Sequence, residues 1–114
     1  MNLEGYLVKI KQYAPYLDFG RIAKAYEFGE KAHTGQLRKD GSPFFNHPTS
    51  VSLILAELEM DEETIIAALL HDTVEDTDVT LADVEKIFGK EVAALVDGVT
   101  KLAVINYEIG RAHV

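Results

Sequence analysis

The sequence of 114 residues contains no cysteine. A disulfide framework and a thiolate zinc site are therefore excluded, and a reducing, cytoplasmic setting is the expectation. Proline is scarce: Pro15, Pro43 and Pro48 alone interrupt the chain, which leaves room for long helices. Positive charge is also scarce, with eleven Lys and Arg against nineteen Asp and Glu, a net charge of −8. That balance argues against duplex nucleic acid as the main partner, because phosphate contacts need a basic footprint. An anionic ligand would have to be met by a local basic patch or a metal ion. No apolar run reaches membrane-spanning length, and the opening MNLEGYLVKIKQ does not read as a signal peptide. Alternating apolar and polar residues never persist long enough for a convincing strand.

What is there is helical periodicity. Ile22, Ala25, Tyr26 and Gly29 recur at helical spacing and leave Lys24, Glu27 and Glu30 on a polar face. Val51, Ile54, Leu55 and Leu58 follow the i, i+3, i+4, i+7 template of an inward face, as do Val92, Leu95, Val96 and Val99. The run TIIAALL, from Thr64 to Leu70, is apolar nearly all round and marks the most buried helix. Asp18 and Asp61 are candidate N-caps. Thr80 with Asp83 predicts a capping box, Gly89 a helix end, and Pro48 a first helical position. The length suits one small domain, and these signals predict an all-α domain of five or six helices.

Two loops carry unusual chemistry. GQLRKDGSPFFNHP, from Gly35 to Pro48, is long for a helical domain and rich in turn residues, as binding loops on rigid scaffolds often are. The second begins in LLHDTVEDTD, where an apolar run ends in His71, Asp72, Glu75, Asp76 and Asp78. If the buried helix runs to about residue 76, His71 and Glu75 lie one turn apart, as do Asp72 and Asp76. A lone His-Asp pair is often no more than a satisfied core histidine beside solvated acids. Four acids at a helix C-terminus, where the helix dipole disfavours negative charge, are a poor choice for stability alone. A bound cation would relieve the repulsion, and imidazole with carboxylate suits manganese, iron or zinc. His47, stiffened by Pro48, is the best further ligand candidate. His33 lies near the end of its helix, where a packing role suffices.

Taken together, LRKDGSPFFNHP, AALLHDTVEDTDVTL and VDGVTKL resemble the HD-type alarmone hydrolase domain that opens the bifunctional RelA/SpoT proteins. The resemblance runs from about Ile22 to Leu102. It implies an HD-domain helical bundle in which His47, His71 and Asp72 hold a Mn2+ ion and Glu75 and Asp76 support catalysis near the attacking water. Arg38 would pack against the guanine base, and Lys39 would lie beside it in the nucleotide pocket. The implied reaction removes pyrophosphate from the 3′ position of (p)ppGpp, leaving GDP or GTP, in stringent-response alarmone turnover. The implied partner is that small molecule, with no membrane and no duplex nucleic acid.

The chain departs from the family's pattern after Leu102. The fourth protein ligand, an aspartate in a segment that typically reads like LADRLHN, has no counterpart in AVINYEIGRAHV. Asp97 matches a structural position instead. The ending IGRAHV, from Ile109 to Val114, reads like a translated sequencing-library adapter. The expectation is therefore a C-terminally truncated HD hydrolase domain over residues 1–108 and a non-native tail over 109–114, with no function for His113. Two other readings stay open: a non-catalytic HD regulatory or interaction module, and another HD-type nucleotide phosphohydrolase.

Overall fold

A computed structural model describes residues 2–99. Five helices follow one another, α1 (Leu3–Tyr13), α2 (Phe19–Ala32), α3 (Asn46–Glu57), α4 (Glu62–Asp76) and α5 (Leu81–Phe88). A sixth, α6, is helical over residues 90–99. No strand occurs among the described residues, and the backbone pairing nearest to one is an isolated antiparallel bridge between Leu37 and Pro43. The all-α expectation of five or six helices is met. The segment expected to be a non-native tail, with His113, lies outside the described residues.

The helix starts are fixed by side chains. Asp18 accepts from the Gly20 and Arg21 amides, and Asp61 accepts from Thr64 N at 2.9 Å. Thr80 Oγ1 accepts from Asp83 N at 3.2 Å while the Asp83 carboxylate accepts from Thr80 N at 3.0 Å, which closes the expected capping box. Gly89 ends α5 at φ 101°, a backbone conformation that favours glycine. Pro48 differs from expectation. Helix α3 already begins at Asn46, so Pro48 is its third residue rather than its first. The first turn tolerates this because the missing amide would have had no intrahelical partner.

Helix α4 is the centre of the bundle. Ile65, Ile66, Leu69 and Leu70 are fully enclosed, as the all-round apolar run requires. Each such side chain contributes about 1.5–3 kcal/mol by leaving water. Helix α4 packs on α3 and α2, and α1 covers α2 and α3 from the other side. Arg21 ties three elements together at the far end. Its guanidinium donates to Glu62 at 2.7 Å and Glu63 at 2.9 Å at the start of α4, and to the Phe88 carbonyl at 2.6 Å at the end of α5.

The face that α3 buries is not the one its large residues mark. Pro48, Thr49, Ser52 and Ala56 are buried, whereas Ile54 is 57% and Leu58 61% exposed. The small residues repeat at the same helical spacing, one register away. They let α1 come close, and the Tyr6 hydroxyl fills the gap with a hydrogen bond to Ser52 Oγ at 2.8 Å. Ser52 donates onward to the Thr49 carbonyl at 2.7 Å, so no buried polar group is left unmet on this face. Helix α6 divides likewise: Val92 and Val96 are buried, while Leu95 and Val99 stay partly exposed beside Val51 and Leu55 of α3.

Candidate metal centre

Helix α4 continues to Asp76, so His71, Asp72, Glu75 and Asp76 all stand on its last two turns. No basic residue accompanies them there, and the helix dipole opposes their charge. The Asp72, Glu75 and Asp76 carboxylates each place an oxygen within 4.8 Å of the others, a group of a size that could hold a metal ion. Glu75 and Asp76 are exposed and Asp72 is half-buried, so the group lies at the mouth of the bundle and not inside it.

His71 is held in one orientation. Its Nδ1 lies 2.9 Å from the Ala68 carbonyl, which can only accept, so Nδ1 carries a hydrogen. Its Nε2 faces Asp72 Oδ1 at 3.0 Å. A lone pair on Nε2 would repel that carboxylate, so the pair calls for a positive centre, either a proton or a metal cation. The hydrogen bond to Asp72 accordingly raises the His71 pKa above its ordinary value, against the opposing effect of burial. Burial alone would push the Asp72 carboxyl up. The hydrogen bond and charge of His71, with the charges of His47 and His33, outweigh it and hold Asp72 below the ordinary range. A fixed tautomer with a backbone carbonyl behind it is the arrangement that metal-binding histidines use, so these residues fit a divalent cation.

His47 is the second residue of α3 and faces the same cavity as His71. That cavity lies between α3, α4 and α6 and, apart from the two histidines and Thr64, is lined by apolar residues, among them Val51, Leu55, Ala67 and Leu95. Among the described residues, neither His47 nor His71 joins a three-residue group as tight as that of the acids. His47 stands across the groove from His71, and its charge is felt at Asp72.

Arg38 and Lys39 occupy a different place. They sit at the tip of a tight turn in which Arg38 N donates to the Ser42 carbonyl and Gly41 N to the Arg38 carbonyl, both at 2.9 Å. Gly41 takes φ 87°, and Asp40 locks the turn by accepting from Ser42 N and Oγ. Both basic side chains are exposed and border a groove with Leu37, Asp40 and Phe44. This groove shares no lining residue with the His47–His71 cavity. Sequence reasoning overlooked what joins the two halves. His33 is buried and bonded to both Gln36 and Thr73, and Gln36 reaches the Asp76 carbonyl. The spacing of His33 and Gln36 across a helix end was the available signal.

A family model described as "HD domain" matches residues 25–112. The chain belongs to the HD domain family. The match includes both halves of the site, from the loop of Arg38 to the acids of α4. This HD domain is 49% identical over 113 residues to a guanosine-3′,5′-bis(diphosphate) 3′-pyrophosphohydrolase of Aquifex aeolicus, covering 99% of the chain and 16% of that protein. It is 52% identical over 94 residues to a GTP pyrophosphokinase of Myxococcus xanthus, covering 82% of the chain and 12% of the relative. It is 47% identical over 98 residues to the bifunctional (p)ppGpp synthase/hydrolase SpoT of Escherichia coli, covering 86% and 14%. The HD domain thus spans a small fraction of the length of these curated relatives. No helix among the described residues is long and apolar enough to cross a membrane.

Proposed function

We propose that this HD domain removes pyrophosphate from the 3′ position of (p)ppGpp, leaving GDP or GTP, with Mn2+ as its metal. The relatives' names include both hydrolase and pyrophosphokinase, so names alone do not choose the direction of the chemistry. The observation that carries hydrolysis is the His71–Asp72 pair, with His71 Nδ1 tied to the Ala68 carbonyl, on the same helix end as Glu75 and Asp76.

In this reading His71, Asp72 and His47 hold the cation. A bound divalent ion supplies hydroxide near neutral pH and polarises a phosphoryl oxygen. Glu75 and Asp76, exposed beside Asp72, orient the attacking water and take its proton. The water oxygen forms a bond to phosphorus, the bond from that phosphorus to the 3′ oxygen breaks with its electron pair on that oxygen, and the 3′ oxygen leaves as a hydroxyl by taking up the proton that the water gave up. The Arg38 guanidinium stacks on the guanine, and Lys39 offers a point charge to phosphate. These two supply the local attraction that an acidic domain otherwise denies to a polyanion.

The test is Mn2+-dependent release of pyrophosphate from (p)ppGpp. His71→Ala and Asp72→Ala are expected to abolish it, and Glu75→Ala to reduce it by a factor of about 100 or more. Robust hydrolysis after loss of His71 would overturn the assigned roles.

A further inference from the structure

His33 stands where three segments of the site meet. It closes α2 and is almost entirely enclosed. Its Nδ1 lies 2.9 Å from Gln36 Oε1, an acceptor, so Nδ1 carries a hydrogen. Its Nε2 lies 3.1 Å from Thr73 Oγ1, and in the neutral ring the threonine hydroxyl donates to it. The other end of the Gln36 amide donates from Nε2 to the Asp76 carbonyl at 3.0 Å. The imidazole stacks on Phe44 at 5.0 Å and on Phe45 at 6.0 Å.

Each contact leads to a different part of the site. Thr73 follows Asp72 on α4. Phe45 stands two residues before His47. Gln36 stands two residues before Arg38, and its carbonyl accepts from Phe44 N at 3.0 Å, closing the base of that loop. One ring therefore touches the supports of both histidine ligands' helices and of the basic loop. A histidine serving only to fill space would not need all three attachments.

We infer that His33 is a positioning residue. Through Thr73 and the two phenylalanines it sets the separation of His47 from the His71–Asp72 pair, and through Gln36 it holds the Arg38 loop against the end of α4. This rests on the metal-centre reading above.

The experiment measures Mn2+ affinity in the full chain by the electron paramagnetic resonance of the free ion, with circular dichroism to establish folding. Thr73→Val keeps the shape and removes the hydroxyl. It is expected to bind Mn2+ about 10-fold more weakly while folded, as loss of an outer support does in other metal sites. Thr73→Ser is expected to restore binding. Gln36→Met, at a half-buried position, is expected to raise the KM for (p)ppGpp with kcat retained, the mark of lost substrate binding and not lost chemistry. A folded Thr73→Val that binds Mn2+ like the parent overturns the inference. If that variant does not fold, His33→Phe, which keeps the stack and drops both hydrogen bonds, is read in the same way, and an unchanged KM in Gln36→Met overturns the loop arm independently. Failure of the parent chain itself to bind Mn2+ overturns the metal-centre reading, whereas parental binding with unshifted variants overturns only the role of His33.

Discussion

Gly29 shows how tightly single residues are set around the site. It lies inside α2, where alanine would normally be favoured by about 1 kcal/mol. A Cβ there would stand 2.4 Å from Phe45 Cε1 and 2.8 Å from Cζ, distances real carbon atoms do not reach. The ring has little room to retreat, since it meets Tyr26 edge-on at 5.2 Å and His33 at 6.0 Å. Overpacking of this kind costs about 1–3 kcal/mol, which at least matches the gain in helix propensity. Gly29→Ala is therefore expected to lower unfolding stability in urea by about 1 kcal/mol, and by no more than about 2 kcal/mol, net of propensity. Equal or greater stability would mean that the Phe45 ring yields without cost. The sequence placed Gly29 on the inward face of α2 by its period, but nothing local could say that the space for its Cβ is taken by a residue sixteen positions on.

Whole elements were legible where their signals are local. The caps at Asp18, Asp61 and Thr80 rest on hydrogen bonds that span three residues, and the sequence contains both partners. Asp61 gives this a measurable form. Its carboxyl is held below its ordinary pKa by hydrogen bonds from Thr64, so its contribution is present above the unfolded value and disappears as pH falls through the lowered folded one. Asp61→Ala is expected to cost α4 about 1 kcal/mol at neutral pH. In urea titrations the difference from the parent should shrink toward zero once the medium is acid enough to protonate the folded carboxyl. A difference that stays constant into acid would assign the loss to something other than the charged cap. The inward face of α3 was illegible for the opposite reason. Two sets of residues share one helical period there, and the choice between them is made by Tyr6, forty-six residues away from Ser52. Likewise the separation of Leu95 and Val99 from Val92 and Val96 depends on the groove that α3 and α4 build.

For the molecule as a whole, the candidate site was legible in part because its acids and His71 fall within one stretch of helix, and in part because separate motifs resemble one family. What could not be read was the arrangement between segments: His47 across an apolar groove, Arg38 on its own turn, and His33 between them. The net charge of −8 acts on all of these at once. It attracts a divalent cation toward the exposed carboxylates of Glu75 and Asp76, and that attraction is screened over about 10 Å at 0.1 M salt. Contact between the cation and its own ligands is far shorter and is screened little. Raising ionic strength should therefore weaken Mn2+ binding by a modest factor, about 2–5-fold between low and physiological salt, without abolishing it. Charge reversal by Glu85→Lys and Glu91→Lys, both exposed on α5 and α6 and neither a member of the acidic group, should lower affinity in dilute buffer and flatten the salt dependence. Metal titrations at two ionic strengths decide the matter. An affinity that ignores both salt and the reversed charges would mean that the metal senses only its immediate ligands. The acidity of the remaining surface would then play no part in loading the site.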